Sequence, residues 1–316
     1  MNLLVNKQYF KTIFLSLTSF SLISCSVSFS KNISFSESSE DSYEEIIESS
    51  EEIVSNENVS SIEEDLSIGT SEIVSETAEE TIAESSESNL TKREIAVNYM
   101  FEMSQLSWTP SEDIQYYSKE SSKVFKAGKT YKGLPYTMEA GRTSALEDPL
   151  EIFKDNLIDS VYYGPSKYNT YLGSDCSSSV DASWRKAGVT TGAIYTGAMI
   201  PGENKKISSV GSYDYSDRSN MSKSICISNG KQKMFSCYEL LLPGDALVKR
   251  ANDGSGYSGH VRLVKSVDAE NKKVTVIEQC GYGIDNQTIT TWRVNREYTF
   301  DSLFTYYYIP ITPVGL

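Results

Sequence analysis

Gly259-His260-Val261-Arg262-Leu263-Val264 is followed by the polar run Asp268-Ala269-Glu270-Asn271 and then by Lys273-Val274-Thr275-Val276-Ile277-Glu278-Gln279. Two alternating runs rich in β-branched residues, joined by a short polar turn, predict an antiparallel strand pair. Period-two alternation places His260, Arg262 and Val264 on one face of the first strand. On the second strand Glu278 and Gln279 point to opposite faces, so only one of them can reach His260. A carboxylate stabilises an imidazolium better than an amide does. Glu278 is therefore the preferred partner and Gln279 the alternative.

His260 is the only histidine in the 316 residues, so chemistry that needs an imidazole must use it. Upstream lies Ser174-Asp175-Cys176-Ser177-Ser178-Ser179-Val180, a loop opening a helix predicted over Asp175 to Ala187. Val180, Trp184 and Ala187 form its inner stripe, and Gly188 stops it as a left-handed cap. A thiol at a helix start is activated by the exposed amides and the helix dipole, which favour the thiolate. The amide of Cys176 could also donate to an oxyanion. A free cysteine is by default a buried structural residue, but the Asp and Ser neighbours argue for an open position. Cys176 as nucleophile with His260 as base is the arrangement a thiol enzyme requires.

Outward from these motifs, Thr91 to Leu106 reads as a helix, with Ile95, Tyr99, Met103 and Leu106 on one face and Asn89 or Thr91 as its cap. Trp108-Thr109-Pro110 should pack that helix on the domain. Glu147 to Tyr162 reads as a helix or irregular arm. Thr190 to Ser222, rich in Gly, Ser and Tyr, reads as an insertion over the site. Ser236-Cys237-Tyr238-Glu239 fits a capping box opening a helical turn. Leu242-Pro243-Gly244-Asp245 is a turn into a strand from Ala246 to Lys249, and Trp292 to Val294 and Phe304 to Pro310 supply the last strands. Helices followed by a run of strands predict an α+β class with helices on an antiparallel sheet.

Asp175-Cys176-Ser177 opening a helix, Leu242-Pro243-Gly244-Asp245-Ala246-Leu247-Val248, and Gly259-His260-Val261 resemble the NlpC-type family of papain-like cell-wall cysteine peptidases. The likeness covers roughly Tyr131 to Pro310. The stretch from Gly259 through Val276-Ile277-Glu278-Gln279 also resembles the related CHAP amidohydrolase/peptidases, in which a Glu follows the His strand as third polar residue. The resemblance implies a papain-like fold and cleavage of an amide bond in peptidoglycan stem peptides through a thioester, with Cys176, His260 and Glu278 as catalytic residues. Gly133-Leu134-Pro135-Tyr136 matches a family loop whose Tyr lines the site and supports the oxyanion, a role that would fall to Tyr136. Ser177 would also line the site. Two features depart from the family: Ser178 stands where a Gly is usual, and 84 positions separate Cys176 from His260, a longer gap than is common. An N-acetylmuramoyl-L-alanine amidase, an acyltransferase, and an inactive surface-binding lipoprotein are the rival expectations.

The amino-terminal 24 residues pair Lys7 and Lys11 with an apolar stretch from Thr12 to Ile23, the pattern of an export signal. It is too short and too Ser-rich for a comfortable membrane span. Leu22-Ile23-Ser24-Cys25 resembles a bacterial lipobox, which implies diacylation of Cys25 and anchoring on the outer face of the cytoplasmic membrane. From Ile33 to Leu90 there are 18 Asp or Glu and no Lys or Arg, so residues 25–90 read as a self-repelling disordered stalk. The chain's net charge of −14 belongs to that stalk and says nothing about substrate. Residues 91–316 suffice for one domain with its own core, expected to act as a monomer. One His and no CxxC give no metal set, no cofactor is expected, and no phosphate loop or basic cluster points to nucleic acid. Of the remaining cysteines, Cys226 with Cys237 is the only pairing to consider for a disulfide.

Overall fold

The computed structural model describes residues 90–116, 124–137, 142, 147–281 and 290–316. Cys25, the export signal and the stalk fall outside them.

Helix α1 (Lys92–Gln105) starts on Thr91, whose side chain accepts from the Glu94 amide while Glu94 reaches back to the Thr91 amide. This reciprocal cap satisfies two donors that the first turn would otherwise leave open. The chain then forms β1 (Ser107–Pro110), β2 (Ile114–Gln115), β3 (Val124–Phe125) and β4 (Tyr131–Lys132), a short α2 (Pro149–Lys154), and the hairpin β5 (Leu157–Ile158) and β6 (Val161–Tyr162). The expected packing segment at Trp108 is itself a strand, paired antiparallel with β4 and parallel with β6. Trp108 is fully buried against Phe125, Tyr131, Phe153 and Tyr162, with its indole N–H on the Gly133 carbonyl.

Helix α3 (Cys176–Lys186) follows. Val180 and Trp184 are fully buried and Gly188 adopts the left-handed conformation (φ 79°) that closes the helix. Burying a side chain such as Val180 contributes about 1.5–3 kcal/mol. A single 3₁₀ turn (Thr196–Met199), strand β7 (Ile207–Ser209) and helix α4 (Met221–Tyr238) lead to the central strands: β8 (Ala246–Asn252), β9 (Tyr257–Asp268), β10 (Lys273–Gln279) and β11 (Trp292–Thr299). The short helix α5 (Phe300–Thr305) and β12 (Ile309–Pro313) end the chain. The main sheet is six-stranded, in the order β11-β10-β9-β8-β12-β7, with every pairing antiparallel. The β9–β10 hairpin read from the sequence is its centre, with Val264 opposite Val276 and Leu263 opposite Ile277. Helices α1 and α3 pack on each other and on β9 and β10, while α4 packs on β8 and β12. The class is α+β with an antiparallel sheet.

Several elements differ from expectation. The stretch 190–222 is not a free insertion, because β7 extends the sheet at β12 and Met221 already begins α4. Ser236 to Glu239 close α4 rather than open a turn, and the helix is kinked at Gly230 (φ 74°, ψ 163°). Phe304 belongs to α5, whose Thr299 cap accepts from the Ser302 amide, so the last strand starts only at Ile309. Cys226 and Cys237 both lie on α4 and are free and buried, as are Cys176 and Cys280.

Candidate active site

Cys176 is the first residue of α3, and its placement is built from the residue before it. Asp175 is the N-cap: its carboxylate accepts from the Ser178 amide at 2.7 Å, and the Ser178 hydroxyl returns to the Asp175 amide at 2.8 Å. The serine that stands where the resembled family has a glycine is therefore the second half of the cap. Arg142 pairs with the other Asp175 oxygen at 2.6 Å and also donates to the Ile194 carbonyl. Cys176 and Ser177 occupy the first two helical positions, whose amides have no intrahelical acceptor.

The polar neighbours do not keep this turn open. Asp175, Ser177 and Ser178 are buried, and Cys176 itself is only 6% exposed. They can be buried because they satisfy one another. The Ser177 hydroxyl sits 3.0 Å from both Asp175 Oδ1 and the Ile194 carbonyl, so its side chain ties the following loop to the cap.

The loop Gly133–Tyr136 runs beside Ser174, two residues before Cys176. Tyr136 bridges Ser174 in a parallel pairing, the Thr137 amide donates to the Ser174 carbonyl, and the Tyr136 carbonyl accepts from the Tyr171 hydroxyl at 2.6 Å. Gln279 ties this loop to the sheet. Its amide nitrogen donates to the Leu134 carbonyl (2.9 Å), and its oxygen accepts from the Ser174 hydroxyl (2.6 Å).

Glu278, one residue earlier, faces the other way, as the pleat requires. Its Oε2 is 2.7 Å from His260 Nε2 and 2.7 Å from Arg262 Nε, and its Oε1 accepts from the Tyr298 hydroxyl at 2.6 Å. Glu278 is thus the histidine partner, and Gln279 joins the Leu134 loop to Ser174. With a carboxylate as acceptor, Nε2 carries the proton, which leaves Nδ1 to titrate. The Arg262 guanidinium lies between the rings of Tyr298 and Tyr308, 3.7 and 4.1 Å from their centroids. Burial opposes a charged Glu278, but Arg262, His260 and Tyr298 hold its carboxyl well below the usual range.

His260 lies on β9 opposite Lys249 of β8 and keeps 17% of its side chain exposed. It hydrogen-bonds Glu278, and Cys176 and Cys280 lie near enough to raise its pKa. Burial disfavours the imidazolium, yet these groups outweigh it and hold the imidazole well above its ordinary value. The arrangement favours a protonated imidazole.

Cys280 was not singled out by the sequence. It follows Gln279, and its sulfur lies within 4.8 Å of ligand atoms of both His260 and Glu278. Three such donors could be read as a metal site. However, both Glu278 oxygens are already engaged, and a guanidinium touches the same carboxylate, which repels a cation. Burial and the Glu278 charge push the Cys280 thiol up, so Cys280 stays protonated while Cys176 alone has the helix terminus. Arg262 and Tyr298 were also missed as site residues. The alternation of β9 did put Arg262 on the His260 face, but Tyr298 required the register of β11.

Comparison of the chain with protein-family models, with curated proteins and with solved structures gave no match. Among the described residues no helix is long and apolar enough to cross a membrane.

Proposed function

We propose that this chain is an exported cysteine hydrolase of papain-like NlpC/CHAP type, anchored through a lipidated Cys25, that cleaves amide bonds in peptidoglycan stem peptides. The observation that carries the reading is the relay Cys176–His260–Glu278, with the thiol at the head of α3. The Cys176 sulfur gives its proton to His260 and attacks the amide carbon, and the oxyanion is met by the Cys176 amide, with Tyr136 beside it. His260 gives its proton to the leaving amine as the C–N bond breaks, leaving a thioester. It then takes a proton from water, which attacks the thioester and releases the carboxylic acid, and returns that proton to the departing Cys176 sulfur. Glu278 fixes the ring and stabilises the imidazolium throughout. A stalked, membrane-anchored enzyme would meet peptidoglycan as its nearest amide polymer.

Cys176→Ala should abolish release of stem fragments from purified cell walls while Cys280→Ala retains it. Mass spectrometry of the fragments identifies the bond, since an N-acetylmuramoyl-L-alanine amidase frees lactyl groups and a stem peptidase does not. Undiminished release by Cys176→Ala would sink the proposal.

A further inference from the structure

Arg250 on β8 is opposite Gly259, one rung from the pair Lys249–His260. It therefore lies on the opposite side of β8 from Lys249, next to the position where β9 carries no side chain. Gly259 has to be glycine: a Cβ there would come within 2.3 Å of Thr196 Oγ1 and 3.0 Å of the Lys249 carbonyl. The close approach brings the 3₁₀ turn, with Tyr195 just before it, against the same rung. Tyr257 stands on the other side, with the Arg250 guanidinium carbon 5.2 Å from its ring centroid. Tyr195 and Tyr257 are 57% and 43% exposed, and the Ile194 carbonyl just before Tyr195 accepts from Ser177, next to Cys176.

Among the described residues no carboxylate pairs with Arg250. Three other arginines near this site have one: Arg142 has Asp175, Arg185 has Asp181, and Arg262 has Glu278. Burial lowers the Arg250 pKa, opposed by Tyr257, Tyr195 and Cys176. A partly desolvated guanidinium with no carboxylate beside it among the described residues is unfavourable for folding alone. Its planar fork is suited to a carboxylate, and the two phenols beside it can donate to the same oxygens.

We propose that Arg250, flanked by Tyr195 and Tyr257, is a substrate-binding residue that takes a free carboxylate carried by the peptide close to the scissile amide. The inference rests on the hydrolase reading for its substrate, because stem peptides contain γ-linked and diamino residues that leave α-carboxylates free along the chain. It selects acidic stems over those in which that carboxylate is amidated. Arg250 touches substrate without joining the proton relay.

The test uses the full-length protein with Cys176→Ala, to prevent turnover, and two synthetic stem peptides differing only in a free carboxylate or its carboxamide. Calorimetry should give a Kd about tenfold or more tighter for the carboxylate peptide, the discrimination expected of a charge-assisted pair. Arg250→Gln in the same background should erase the difference and leave carboxamide binding unchanged, and Arg250→Lys should restore part of it. In the otherwise native enzyme, Arg250→Gln should raise KM for the carboxylate peptide with kcat retained. Equal affinities, no binding of either peptide, or an Arg250→Gln variant that still discriminates overturns the proposal. The hydrolase reading is decided separately: discrimination without any release from cell walls by the native enzyme removes the hydrolase and leaves the carboxylate site standing.

Discussion

Glu278 has three donors on two oxygens, and each does something different. His260 is the base of the proposed relay, Arg262 supplies the counter-charge, and Tyr298 satisfies the second oxygen. Glu278→Gln keeps the shape but removes the charge. The imidazolium then loses one of the groups that raise its pKa, so the alkaline limb of kcat/KM against pH should move to lower pH. The rate at its optimum should fall by about tenfold or more, as for loss of an oriented acid–base group. An unmoved alkaline limb would show that Glu278 does not govern His260. The same substitution removes the carboxylate charge beside Arg262, and breaking a buried pair costs about 3–5 kcal/mol. Denaturant unfolding of the variant should show a loss of that order. Gln279→Glu would not rescue it, because that side chain faces the Leu134 loop.

The site depends on two elements meeting, the head of α3 and the outer end of β9, and the 3₁₀ turn holds them together through Gly259. Gly259→Ala would drive a methyl group into Thr196. Because Gly259 lies next to His260, this should lower kcat several-fold or more while thermal unfolding shifts only modestly. A kcat within twofold of the native value would mean the turn can move without moving the base. The elements that set the site were largely legible in the sequence. Alternation gave the β9–β10 hairpin and separated Glu278 from Gln279, and the apolar stripe at Val180 and Trp184 gave α3 with Cys176 at its start. What escaped the sequence was set by partners far along the chain. The stretch 190–222 has weak local preference, and β7 forms only because β12 offers an edge. Helix α4 runs through Gly230, which breaks the apolar period and concealed one long helix as a loop and a turn. The burial of Asp175, Ser177 and Ser178 was equally hidden, since it depends on Arg142 and Ile194 at some distance in sequence.

For the whole molecule, the buried relay predicts how stability depends on pH. Glu278 has a folded pKa well below the value of 4.5 it would have free, so its contribution is complete above that value. It is lost as pH falls from there through the folded pKa. His260 has the opposite sign. Its folded pKa lies well above 6.5, so its contribution is complete below that value and declines as pH rises through the folded pKa. Both act together in weakly acidic solution, where the melting temperature should be highest. Glu94, Asp113, Asp214, Asp217 and Asp268 are also lowered, by backbone and side-chain hydrogen bonds. They are exposed, however, so salt screens their share. Thermal unfolding of the native protein on the acid side should therefore separate into two parts, one that added salt weakens and one that it does not. Glu278→Gln should remove the salt-insensitive part and leave the other. An acid limb in Glu278→Gln with the native slope at high salt would mean that the relay is not the buried charge that acid titrates.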